Sequence, residues 1–198
     1  MKDRNYQNNT IFALSDFENG IIPNHETIDF GSTWWSKDWI EVLEYLDVDN
    51  RVKKGKTLAR NGNILSLSIT NDGQITGIVR DGKVNSYKVT IEIEPITENQ
   101  WNVLLEKLSE DNELIAELSA NNLPVKIKSY FNDDTFQLIP RRTGEIKAAC
   151  NCSDWATSCK HVCALYFLLS EFFEQDPFLL FQLRGKSKSE ILTILSEK

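Results

Sequence analysis

Four cysteines lie in one short segment of this 198-residue chain, and the remainder of the chain contains none. The segment runs from Cys150 to Cys163 and reads CNCSDWATSCKHVC. A secreted domain stapled by disulfides has no need to group its cysteines this tightly, whereas clustered free thiolates suit a metal site in a reducing compartment. The sequence therefore predicts a metal centre in the C-terminal part of the chain.

The donors of this segment form two short pairs. One residue separates Cys150 from Cys152, one residue separates Cys159 from His161, and six residues lie between the pairs. Tetrahedral Zn²⁺ needs four donors at about 2.0 to 2.3 Å, and short pairs supply them at little cost in chain entropy. Such tight spacing predicts a sharp turn at the first pair. The second pair should straddle the start of a helix, whose dipole favours thiolate over thiol.

Cys163 leaves a second ligand set open. It follows Cys159 by four residues, so a helix that contains both would place them on one side, and Cys163 could then replace His161. The other interpretation makes Cys163 a small apolar member of a buried helix face. In both cases protein donors fill all four positions, which predicts one structural Zn²⁺ with no position for water.

The segment resembles the SWIM zinc finger. Its Cys-x-Cys, six residues, Cys-x-His and apolar helix, with the flanking words CSDW and CKHV, are similar to segments of small bacterial SWIM proteins. Those proteins are typically found with Swi/Snf-type helicases. The resemblance extends to FGSTWW at 30–35, WIE at 39–41 and DPFLLFQLRG at 176–185. It implies zinc held by Cys150, Cys152, Cys159 and His161, and a role in DNA or protein interaction rather than catalysis.

Hydrophobic periodicity predicts the fold class of the remainder. Apolar residues recur every three or four positions in 34–46, which indicates a helix, and alternate with period two in 64–93, where Asp-Gly turns indicate an antiparallel meander. Capping boxes at Thr97 and Ser187 predict the starts of two further helices, and the apolar composition of residues 162–173 predicts another. Two short runs typical of strands occupy 125–127 and 136–139. We expect an α+β fold: an antiparallel sheet with packed helices, then a zinc-stabilised ββα-like SWIM finger and a helical tail.

Composition divides the chain into three expected parts. Residues 1–30 are rich in Asn, Asp and Glu and predict a loosely ordered arm, 31–140 an α+β domain, and 141–198 the SWIM finger with the C-terminal helices. Residues 1–30 lack the apolar region of a secretory signal, and the longest apolar stretch, 162–169, is far below the roughly 20 residues of a membrane helix. We therefore expect a cytoplasmic protein without a membrane partner.

Charge limits the possible partners. The net charge of −7 argues against a protein that coats nucleic acid indiscriminately, but residues 1–140 carry 14 basic and 22 acidic side chains, whereas 141–198 carry 8 and 7. A basic run at 51–60 contains no acidic residue and is either a solvated loop or a phosphate contact.

Trp155 either covers the metal site or stacks on a base. The candidate contacts are Arg51, Lys53, Lys54, Lys56, Arg60, Arg141, Arg142, Trp155 and Lys160.

An enzyme is not expected. The sequence has no P-loop and no nucleophile elbow, and with His161 used as a ligand a histidine-dependent mechanism would rest on His25. Nothing indicates a small-molecule substrate. The predicted function is that of an interaction or adaptor module, with a Swi/Snf-type helicase as partner and possible DNA contact. The alternative is a direct nucleic-acid-binding protein that uses the finger and the 51–60 run.

Overall fold

The computed structural model describes residues 10–23, 30–45, 49–131, 136–141, 144–154 and 158–197. The fold is α+β, as predicted: a five-stranded antiparallel sheet with packed helices. Its elements in chain order are β1 (Thr10–Ser15), α1 (Trp34–Tyr45), α2 (Asp49–Arg60), β2 (Ile64–Thr70), β3 (Gln74–Asp81), β4 (Asn85–Ile93), α3 (Glu98–Leu108), α4 (Asn112–Ser119), a 3₁₀ helix (Val125–Phe131), β5 (Ile146–Cys150), α5 (Lys160–Gln175), α6 (Phe178–Leu183) and α7 (Lys188–Ser196).

The sheet is a meander in the order β1-β2-β3-β4-β5. The predicted turns join its central strands, and Gly73 and Gly82 adopt the positive φ angles of 77° and 81° that these turns need. Alternate residues of β2 to β4, such as Leu67, Ile75 and Ile91, are buried on one face. The sheet therefore presents a single apolar face to the helices.

The first strand corrects a prediction. Residues 10–15 lie in the segment expected to be a loosely ordered arm, but they pair antiparallel with β2, with Ala13 opposite Ser68 and Ser15 opposite Ser66. Polar composition of the whole segment concealed the short run TIFALS, whose β-branched and aromatic residues suit a strand. An edge strand of this length needs only one hydrogen-bonded neighbour to be held in place.

The C-terminal segment joins the same sheet and core. Its strand β5 pairs with β4, with Ile146 opposite Ile93 and Cys150 opposite Val89. Within the described residues, the segment thus contributes one strand rather than the two of a self-contained ββα unit. Cys150, the first of the predicted metal ligands, is therefore fixed to the main sheet.

Helix α5 forms the centre of the molecule. It is buried without interruption from His161 to Ser170, as expected of a helix that is apolar on all sides. It packs against the sheet through β3, β4 and β5 and against α1 and α2. The Trp39 ring of α1 stacks on Tyr166 at a centroid distance of 4.6 Å, and its Nε1 donates to the Tyr166 carbonyl oxygen at 3.0 Å. The helix that carries His161 is thus a core element of the whole chain.

The basic run at 51–60 is a helix, α2, rather than the solvated loop considered from the sequence. Its buried side is made of small residues, Gly55 and Ala59, with Val52 and Leu58 half-buried beside them. Small residues one turn apart allow two helices to approach closely. A Cβ on Gly55 would lie 2.5 Å from Cys163 Cβ and 2.8 Å from the Lys160 carbonyl oxygen. Glycine is therefore required where α2 crosses α5.

Gly55→Ala should destabilise the protein. The added methyl would meet backbone atoms of α5 that cannot move aside separately, and overpacking of this kind costs about 1 to 3 kcal/mol, which outweighs the gain of about 1 kcal/mol in helix propensity. Urea unfolding measures the change. Thr57→Ala, on the exposed side of α2, is the matched control and should change stability by less than about 0.5 kcal/mol. A Gly55→Ala protein as stable as the parent would contradict the close helix crossing.

The segment between α4 and β5 differs from its prediction. Residues 125–131 form the 3₁₀ helix, and 136–139 are irregular, so neither predicted strand is present. Short apolar runs do not distinguish strand from helix, and among the described residues no strand pairs with either run. The capping boxes at Thr97 and Ser187 are confirmed. Among the described residues, no helix has the length and apolar character needed to cross a membrane.

Candidate metal centre

Four donor side chains come from the two ends of one loop. Cys150 is the last residue of β5 and Cys152 lies in the bend that follows, while Cys159 is the N-cap residue of α5 and His161 lies in its first turn. The second pair therefore straddles the start of a helix, as its spacing predicts. Because β5 and α5 are both fixed in the core, the two pairs face each other.

The four donor atoms form a compact group. All of them lie within 4.8 Å of one another. His161 Nδ1 is 3.7 Å from Cys150 Sγ and 3.7 Å from Cys159 Sγ. Around a tetrahedral zinc, sulfur and nitrogen donors would be about 3.5 Å apart, given bond lengths near 2.3 and 2.0 Å. Cys150, Cys152, Cys159 and His161 are thus close enough together to hold a metal ion.

The turn of the first pair is attached to the sheet. Between the two cysteines, the Asn151 side-chain oxygen accepts a hydrogen bond from the Lys88 backbone nitrogen at 2.8 Å. The Asn151 backbone nitrogen in turn donates to the Lys88 carbonyl oxygen at 3.2 Å. These two bonds extend the β4–β5 ladder past Cys150 and fix the direction of the sharp turn that the spacing predicts.

His161 is held on its far edge and on its face. Its side chain is buried, and Nε2, the nitrogen away from the sulfurs, lies 3.2 Å from Asp81 Oδ2 at the end of β3. The Tyr87 ring of β4 stacks on the imidazole at a centroid distance of 4.4 Å. Lys160 Nζ lies 2.6 Å from the same carboxylate oxygen of Asp81. Hydrogen bonds from Lys160 and His161 lower the pKa of Asp81, so this carboxylate is charged.

The pKa values of the Cys150 and Cys159 thiols are shifted in opposite directions. A hydrogen bond from Cys150 lowers the pKa of Cys159 to about 4, and further bonds from His161 and from the α5 backbone act in the same direction. The same bond, with burial, raises the pKa of Cys150. Cys159 is therefore the thiolate of the pair. A thiolate at a helix N-terminus is the form that binds a metal ion.

Cys163 lies outside the group of four. It is fully buried, its Sγ lies 3.7 Å from the Ser158 carbonyl oxygen, and its Cβ faces the Gly55 crossing. Burial raises the pKa of its thiol to about 12. Its surroundings are those of a small apolar residue at a helix contact, which is the second of the two interpretations drawn from the sequence.

The predicted partner contacts are distributed over several elements. Arg51 Nε pairs at 3.0 Å with Oδ2 of Asp154, which lies between Cys152 and Cys159 in the segment that joins the two donor pairs, the metal loop. Lys53 and Lys54 are exposed on the same helix as Arg51. Arg141 pairs with Asp38 of α1. The others occupy different surroundings: Lys56 over the Phe167 ring, Arg60 over the Phe30 ring, Lys160 on Asp81, and Arg142 and Trp155 outside the described residues.

Three residues around the centre were not found from the sequence. Asp81 reads as part of an Asp-Gly turn, Tyr87 as an ordinary strand residue and Asn151 as the spacer of a cysteine pair. The register of the sheet brings them together, because β5 lies beside β4 and the β3–β4 turn lies beside the start of α5. Only the short distance of Asn151 from its cysteines along the chain offered a signal.

Comparison with known proteins identifies a relative that matches most of this chain. The chain is 31% identical over 179 residues to the uncharacterized protein Rv2102 of Mycobacterium tuberculosis (strain ATCC 25618 / H37Rv), and the match covers 90% of this chain. The chain spans 64% of the length of that relative. No protein-family model matches the chain. No solved structure matches it.

Proposed function

We propose that Cys150, Cys152, Cys159 and His161 hold one structural Zn²⁺ and that the chain is a SWIM-type interaction module. The donor group carries the proposal: three sulfurs and one imidazole nitrogen within 4.8 Å. Thiolate and imidazole donors suit Zn²⁺, whereas carboxylate and carbonyl oxygens suit Mg²⁺ or Ca²⁺. A reducing cytoplasm would keep these thiols free for the metal.

A binding role is proposed in preference to catalysis. Catalytic zinc needs an open coordination position for water or substrate, and four protein donors leave none. Three thiolates and a neutral imidazole would also give the zinc centre a net charge of about −1, which weakens a Lewis acid. The metal would act by fixing β5 to the start of α5.

A Swi/Snf-type helicase is the proposed partner. The support is the resemblance of the CSDW and CKHV segments, and of residues 30–35 and 176–185, to SWIM proteins that occur with such helicases. The net charge of −7 also favours association with a protein over general binding to nucleic acid. In this role the zinc would stabilise the surface that the helicase contacts.

A second candidate is direct binding of nucleic acid through α2. The supporting observation is that Lys53 and Lys54 are exposed on a helix whose Arg51 is bonded to the metal loop at Asp154. Cations on one helix side beside a fixed loop could follow a phosphate backbone. The basic run and the metal loop would then form one continuous contact.

Nuclease and salt separate the two candidates. If the chain is an adaptor, zinc-loaded protein should retain a Swi/Snf-type helicase from native lysate after nuclease digestion. If it binds nucleic acid directly, it should bind a labelled DNA duplex, with log Kd rising with log salt by about 0.9 per phosphate contact. Lys53→Gln with Lys54→Gln should then weaken binding, and the matched control Lys37→Gln with Lys107→Gln, at exposed lysines outside the finger and the basic run, should not. Failure of both measurements would reject both candidates.

A further inference from the structure

We infer that Asp81 is a positioning residue of the metal centre, which orients His161 as a ligand and makes the β3–β4 turn part of the site. The inference rests on the proposed zinc function. Asp81 Oδ2 lies 3.2 Å from His161 Nε2, on the side of the ring opposite to the cysteine sulfurs. A carboxylate in this place does not touch the metal and acts through the imidazole.

The two ring nitrogens face different partners. Nδ1 lies 3.7 Å from two sulfurs, so it is the nitrogen directed at the metal position. A neutral imidazole that binds a metal through Nδ1 carries its proton on Nε2. Asp81 accepts that proton in a hydrogen bond, which selects the tautomer with a free lone pair on Nδ1 and makes this nitrogen a stronger donor.

The ring has little freedom to leave this orientation. The Tyr87 ring covers its face at an interplanar angle of 27°, and the His161 side chain is 4% exposed. Asp81 and Tyr87 belong to adjacent strands in fixed register, with Asp81 opposite Asn85 and Val79 opposite Tyr87. The sheet therefore supplies both an edge contact and a face contact to a ligand that is 80 residues away from Asp81 in sequence.

Lys160 provides the charge balance for this arrangement. A zinc with three thiolates and a neutral imidazole has a net charge of about −1, and Asp81 adds a second negative charge nearby. Lys160 lies between two ligands in the chain, and its Nζ is 2.6 Å from the Asp81 carboxylate. A simple Lys160–Asp81 ion pair is the competing explanation for the position of Asp81, and the experiment must separate the two.

Zinc affinity of the full chain tests the inference. Competition with a chromophoric chelator should show zinc binding about 10- to 100-fold weaker in Asp81→Ala, the usual effect of losing such a partner. Asp81→Asn should be intermediate, because its amide oxygen still accepts the hydrogen bond without the charge. Lys160→Gln should keep an affinity within about threefold of the parent, because it leaves the His161–Asp81 bond intact.

A matched control variant tests whether a loss of stability alone lowers the zinc affinity. Asp111, the N-cap residue of α4, accepts hydrogen bonds from Lys126, Tyr130 and the Leu114 backbone. Asp111→Asn should lower stability to urea while leaving zinc affinity unchanged. An equal loss of zinc affinity in this control would assign the effect of Asp81 to stability and overturn the inference.

The ligation and proton exchange of the His161 ring can be measured separately from the stability of the protein. In the zinc-loaded parent, nitrogen-15 NMR should show His161 with metal on Nδ1 and a slowly exchanging proton on Nε2. That proton should exchange faster in Asp81→Ala and Asp81→Asn. Ligation through Nε2, or an Asp81→Ala affinity within twofold of the parent, would overturn the inference. A parent chain that does not bind zinc would reject the proposed function instead.

Discussion

Removing Zn²⁺ from the zinc-loaded chain with a strong chelator is expected to unfold the sheet together with the cysteine-rich segment. In a separate finger, loss of metal would leave the preceding domain intact. Here β5 is hydrogen-bonded to β4, and α5 lies between the sheet and helices α1 and α2. Three thiols, of which Cys159 is buried, and the buried His161 imidazole would lose their common partner at the start of the central helix, so the loss of that helix should spread through the core.

The expected size of this effect exceeds ordinary mutational changes. Structural zinc sites contribute apparent free energies of about 10 to 16 kcal/mol in zinc-finger peptides at neutral pH, and whole domains are stable by about 5 to 15 kcal/mol. Hydrogen exchange read by mass spectrometry would follow the two regions separately. Amides of β2 to β4 and of α1 should lose protection together with those of α5. Protected sheet amides in protein shown to be free of metal would contradict the prediction.

Cysteine variants provide the controls for metal removal. Cys159→Ser should abolish zinc binding and reproduce the chelated state, because a hydroxyl replaces a ligand thiolate while the start of α5 keeps a favoured N-cap residue. Cys163→Ala removes one thiol from the same helix but no ligand, so it should keep one zinc per chain. Zinc lost in Cys163→Ala and retained in His161→Ala would reverse the ligand assignment.

Local patterns predicted those parts of the fold in which neighbours along the chain decide the structure. The Asp-Gly turns and period-two strands specified the β2–β4 meander, and Thr97 and Ser187 specified helix starts. The cysteine and histidine spacing predicted that the two pairs come together, because six residues between them leave few ways for them to meet, and only the choice between His161 and Cys163 stayed open.

Contacts over long sequence distances account for what the sequence did not predict. Helix α2 buries Gly55 and Ala59, so its stripe is made of small residues and gives almost no hydrophobic periodicity. Strand β1 depends on a β2 edge more than 50 residues away, and Asp81 reaches His161 across 80 residues. Such pairings follow from the register of the sheet, which one sequence does not specify.

The buried ion pair between β5 and the C-terminal helices should carry the second largest effect. Arg184 Nη2 donates to Glu145 Oε1 at 3.1 Å, with side chains only 3% and 9% exposed. Arg184 also donates to the Glu94 carbonyl oxygen, and its own carbonyl accepts from Trp101 Nε1 at 2.9 Å. The pair therefore joins the start of β5, the end of β4 and α3 to the segment that follows α6.

Glu145→Ala is expected to lower the free energy of unfolding by about 3 to 5 kcal/mol, because it removes the carboxylate that pairs with the buried Arg184 guanidinium. Urea unfolding at neutral pH measures the loss. Replacing both partners, with Glu145→Leu and Arg184→Met, should recover most of it, since a buried pair of apolar side chains carries no desolvation penalty. A matched loss of charge at exposed Glu106, as Glu106→Ala, should change stability by less than about 0.5 kcal/mol. If Glu145→Ala and Glu106→Ala change stability equally little, the ion pair does not hold β5 to the helical tail. If the double variant is no more stable than Glu145→Ala, the stabilisation comes from the hydrogen bonds with the Glu94 carbonyl and the Arg141 backbone nitrogen rather than from the charges.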